Sequence, residues 1–90
     1  MPYHKNKQQA FQAAQQGVEQ ARDVYSQIVK NDPDYGHHFK RLENEVNEAM
    51  EQINNALEVA SETQRAQLEQ FQQDLQHLIN DANYWYNIYN

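Results

Sequence analysis

The residues best suited to chemistry gather in one short stretch, Asn31-Asp32-Pro33-Asp34-Tyr35-Gly36-His37-His38. Carboxylates and imidazoles are the donors that divalent cations take. Asp32 and Asp34 stand at positions one and three of a calcium loop, and Glu43 falls at position twelve. The glycine such a loop needs at position six comes one place early, at Gly36, and proline fills position two. That excludes a calcium loop. His37 and His38 are neighbours, so on a helix they point about 100° apart and cannot share a metal without ligands from elsewhere. His38 and Glu43 are five residues apart, and His37 meets Arg41 one turn on. Zinc sites on helices want two histidines four residues apart, which this stretch lacks. We read the two aspartates as capping residues and the histidines as surface groups, with a small metal- or ligand-binding bundle using the 31–38 loop as the alternative.

Catalysis has less to work with. The chain has two glycines and no cysteine, so a phosphate-cradling glycine loop and thiol chemistry are both excluded. Glu43, Glu45, Glu48, Glu51 and Glu58 form a charged strip on the polar side of one helix pattern, the ordinary appearance of a solvated face. We expect no enzymatic activity and no cofactor. The suggestive feature is the C-terminal run Asn83-Tyr84-Trp85-Tyr86-Asn87-Ile88-Tyr89-Asn90, with four aromatics in six residues. One helix stripe cannot bury them all, and surplus aromatics mark contact surfaces. Tyr84, Tyr86, Ile88 and Tyr89 are therefore the candidate partner contacts. The competing reading has Tyr84 and Tyr86 closing the end of a bundle beside Tyr25, Tyr35 and His38.

Charge narrows the partners. The net charge is -6, and Lys5 with Lys7 and Lys40 with Arg41 are the closest cation pairs. A phosphate backbone would be repelled by such a surface, so nucleic acid is excluded as a partner. The polar faces are acidic and amide-rich where a membrane-surface helix would carry lysine and arginine. Nor is there a run of about 20 apolar residues or a secretory leader at Met1 to Gln9. Absence of cysteine fits a reducing compartment. We expect a cytoplasmic protein that binds a protein partner or itself. Glutamine and asparagine make up about a quarter of the chain, spread between apolar positions as surface fillers.

Those candidate residues must be held by helices, because apolar residues recur at 3-4-3-4 spacing through three stretches. The first is Phe11, Ala14, Val18, Ala21, Tyr25, Ile28. The second is Tyr35, Phe39, Leu42, Val46, Ala49, Ile53, Ala56, Ala60. The third is Leu68, Phe71, Leu75, Leu78, Ala82, Trp85, Tyr89. Ala10, Gly17, Val24, Met50, Leu57, Ile79 and Tyr86 widen these stripes beyond a two-stranded seam. The pattern predicts one all-α domain over 1–90, an antiparallel up-down-up three-helix bundle with coiled-coil-like packing. Its helices should cover about 3–30, 33–60 and 62–88.

The boundaries carry their own signals. Lys30 suits the negative end of the first helix, and Asn31 tolerates the conformation that ends it. Asp32 is placed as the cap of the second helix, with Pro33 at its first position and Asp34 beside its positive end. Between the second and third helices there is no glycine or proline. Instead Ser61-Glu62-Thr63-Gln64 has the form of a capping box, and the stripe shifts phase by one residue, from an expected Gln67 to Leu68. One inserted residue turns a straight helix by about 100°, so the chain should break there. Large residues are expected opposite small ones: Phe11 and Phe71 near Ala56 and Ala60, and Tyr25 and Phe39 around Ala82, with Ile28, Tyr35 and Trp85 above.

The second half of the chain also resembles the small YtzC-like helical proteins of bacilli. The likeness is carried by Asn47-Glu48-Ala49, Ala56-Leu57, Ala60-Ser61, Gln64-Arg65-Ala66-Gln67-Leu68 and the run LQHLIND from Leu75 to Asp81. It implies a cytoplasmic bacterial protein and brings no activity with it.

Overall fold

A computed structural model describes residues 6–29 and 32–89, with the side chain of Tyr89 outside the described part. The described residues form three helices: α1, Lys7–Gln27; α2, Tyr35–Leu57; and α3, Glu62–Tyr89. All three pack on one another. Phe11 lies on Phe71, Arg22 pairs with Asp74, and Tyr25 reaches Asp81, so α1 and α3 run in the same direction. The first residue of α2, Tyr35, meets Ala82 near the end of α3, so α2 runs against both. The fold is the expected antiparallel up-down-up three-helix bundle.

The α2 stripe is buried as its spacing demands. Tyr35, Phe39, Leu42, Val46, Ala49, Ile53 and Ala56 are all inside, and only Ala60 lies at the margin. On α1 the buried line is Ala10, Ala14, Val18, Ala21 and Val24. Phe11, Tyr25 and Ile28, placed in the seam by spacing alone, are half-buried. Gly17 explains the rotation. A Cβ built on it would stand 3.1 Å from the Ala49 Cα and 3.2 Å from its Cβ. Small residues therefore let α1 and α2 lie almost backbone to backbone, which turns the bulkier Phe11 and Tyr25 toward α3. On α3, Leu68, Leu75 and Ala82 are buried, while Phe71, Leu78 and Trp85 are half-covered.

Boundaries move by a few residues, each for a local reason. Helix α1 starts at Lys7 because the Asn6 side chain accepts the Gln8 and Gln9 amides at 2.7 and 3.2 Å, a cap not anticipated in the sequence. It stops at Gln27, three residues before Lys30, because Ile28 adopts extended geometry. Residues 30 and 31 lie outside the described part, as do 3–5 at the other end. Helix α2 begins at Tyr35 rather than at Pro33. The Tyr35 amide bonds the Asp32 carbonyl at 3.0 Å, closing a turn through Pro33 and Asp34. The Asp32 carboxylate accepts the Asp34 amide at 2.8 Å, whereas the side chain of Asp34 makes no capping bond. Asp32 thus caps the turn that precedes the helix.

Between α2 and α3 the chain breaks as the phase shift requires. Ser61 and Gln64 exchange side-chain-to-amide bonds at 3.2 Å each, a reciprocal capping box. Arg65 donates to the Leu57 carbonyl at 3.2 Å and so satisfies an otherwise open end of α2.

Candidate functional site

The end of the bundle where α1 stops, α2 starts and α3 finishes holds most of the aromatic side chains. Tyr35 is buried to 2% and donates its hydroxyl to the Ala82 carbonyl at 2.7 Å. Tyr86 stacks on Phe39, ring centroids 4.8 Å apart and 17° from parallel, and lies over Tyr35 at 6.5 Å. Tyr86 is therefore part of the bundle's closure, as the competing reading of the sequence had it. Tyr84 and Ile88 are different. They are 59% and 51% exposed. Both lie on the side of α3 turned away from Ala82 and Tyr86, the residues that meet α2. Of the four candidate contacts, then, Tyr84 and Ile88 face outward, Tyr86 is turned inward, and the Tyr89 side chain lies outside the described residues.

One polar pair was not anticipated. Tyr25 donates its hydroxyl to the Asp81 carboxylate across the α1–α3 seam. That bond, then burial and the Asp81 charge, push the Tyr25 phenol up to about 12. Burial, followed by the Asp81 charge, raises Tyr35 as well. Beside the pair lies a cleft of about 230 Å³ lined by Tyr25, Ser26, Ile28, Tyr35 and Asp81. A tyrosine at a seam position needs a partner for its polar tip. That was the sequence signal available, but only the α1–α3 register identifies Asp81. A second cleft, about 380 Å³ and lined by Gln20, Asp23, Val24, Gln27, Arg41 and Glu45, is an open groove of mixed charge between α1 and α2.

The 31–38 stretch does not assemble a metal site among the described residues. His38 Nε2 stands 4.0 Å from Asp32 Oδ2, the outer limit of an ion pair, and its ring meets His37 edge-on at 6.0 Å. Asp74, His77 and Asp81 follow one another by single turns along α3, yet Asp74 is taken by Arg22 at 2.7 Å and Asp81 by Tyr25. No three histidine, aspartate or glutamate side chains come together among the described residues. None of the described helices is long and apolar enough to cross a membrane. Comparison with protein-family models, curated proteins and solved structures finds no match to this chain.

Proposed function

We propose that this protein is a small non-catalytic interaction module that binds a protein partner, or a second copy of itself, through the end of α3. The observation that carries the reading is the exposure of Tyr84 and Ile88, one turn apart on one face near the end of α3. Large apolar side chains held rigidly on a helix lose little entropy on binding, which is why aromatics dominate contact energies. A cytoplasmic setting, kinship with the YtzC-like proteins of bacilli and indifference to nucleic acid belong to the same reading. The net charge of -6 supports the last of these.

The test compares wild type with Tyr84→Ala and Ile88→Ala in two formats. Sedimentation across a wide concentration range reads self-association, and affinity capture reads other partners. The expected result is a complex in one format, weakened by both substitutions and untouched by Glu58→Gln at the opposite end of the bundle. A complex indifferent to Tyr84 and Ile88 would contradict the reading.

A further inference from the structure

The exposed end of α3 is not purely apolar. Asp81, Tyr84, Trp85 and Ile88 follow at i, i+3, i+4 and i+7, so they share one stripe of the helix. Tyr84 and Ile88 therefore continue the stripe that begins at Asp81, a wall of the cleft. Asp81 is half-buried, and the Tyr25 hydroxyl is its donor among the described residues, bound to one carboxylate oxygen. The other oxygen has no donor there. Two tyrosines and Ile28 wall the cleft, whose volume of about 230 Å³ falls below the range usual for small-molecule pockets but suits one side chain. The last turn of α3 has no basic residue of its own among the described residues, and its negative dipole end favours a cation nearby.

We infer that this stripe receives a basic, apolar peptide segment: a lysine or arginine side chain enters the cleft to meet Asp81, and a neighbouring apolar side chain lies on Tyr84 and Ile88. The inference rests on the interaction reading above and specifies its partner. Charge complementarity chooses the occupant. A carboxylate with a spare lone pair between phenol rings favours an ammonium or guanidinium head, and the rings favour its alkyl stem. A second copy of this chain, with its surplus of acidic groups, offers a poorer match.

The test uses the full chain and three synthetic amphipathic peptides of one length, built from leucine with lysine, glutamine or glutamate. Binding is followed by NMR shifts at Asp81, Tyr84 and Ile88. The leucine–lysine peptide should move all three, and the leucine–glutamate peptide none. Asp81→Asn, which keeps an oxygen for Tyr25 to bond, should weaken the lysine peptide about tenfold, the loss expected for one charge-assisted contact. Glu58→Gln removes the same charge elsewhere and should leave affinity unchanged. Equal weakening by Glu58→Gln and Asp81→Asn would mean diffuse attraction and overturn the inference. Equal binding of the glutamine peptide, indifferent to Asp81→Asn but sensitive to Tyr84→Ala, would overturn the cationic specificity and leave the apolar docking reading standing. Shifts confined to other faces would overturn both. Thermal unfolding of each variant checks that the bundle is intact.

Discussion

At the scale of single residues, the informative side chains are tyrosines whose polar tips are tied down inside an otherwise apolar seam. Tyr25 holds its proton up to about 12 because Asp81 accepts its hydrogen bond, whereas an unfolded tyrosine ionises near 10. Between those values the folded chain binds more protons than the unfolded one. The stabilisation is therefore complete below about pH 10 and is lost as pH rises toward 12. Tyr25→Phe should show a shallower fall in stability over that window than wild type, read by chemical denaturation at several alkaline pH values. A parallel slope would mean that the phenol and Asp81 are not bonded. Tyr35→Phe isolates the other bond. With its ring buried and its hydroxyl 2.7 Å from the Ala82 carbonyl, losing the oxygen should cost about 0.5–1.5 kcal/mol in an equilibrium unfolding measurement. The Tyr25–Asp81 pairing was not legible in the sequence, where Tyr25 counted as an apolar seam residue and Asp81 had no assigned role. They are 56 positions apart, and only the register of α1 on α3 joins them.

At the scale of elements, legibility depended on how a helix is covered. Helix α2 touches both neighbours along its length, so its 3.5-residue stripe and its buried face coincide. Helix α1 differs because periodicity cannot say which neighbour a residue faces. Ala10, Ala14 and Gly17 look weak as core residues, but their smallness draws α1 onto α2. Gly17→Leu should accordingly lower stability by about 1–3 kcal/mol, because the Ala49 backbone behind it cannot move aside like a side chain. An unchanged midpoint would mean the two helices are free to separate. The α2–α3 break was legible from a phase shift and one capping box. Ser61→Ala removes the oxygen that accepts the Gln64 amide and should cost about 0.5–2 kcal/mol, checked by thermal melting. Start and stop residues were harder: Asn6 acts through a side-chain cap inside the span expected to be helical, and Ile28 through extended backbone geometry that no spacing rule encodes.

At the scale of the whole molecule, the distribution of side-chain size explains both the fold and the exposed end. Among the described residues six of the fifteen buried ones are alanines, three of them on α1, which lies close against α2 at Gly17 and Ala49. Most of the large rings gather at one end, with Tyr25, Tyr35, Phe39, Trp85 and Tyr86, while Phe11 and Phe71 pair toward the other. On α3 the face opposite Ala82 and Tyr86 carries Tyr84 and Ile88 into solvent. The sequence showed a surplus of aromatics there. It could not show which of them would be absorbed, because that depends on which face of α3 meets α2. A photo-crosslinking side chain placed at position 84, compared with the same group at position 58, tests the central claim most directly. The account predicts covalent adducts, with a partner or with a second copy, from position 84 and not from position 58. Equal adduct yields from the two positions, or none from position 84, would contradict it.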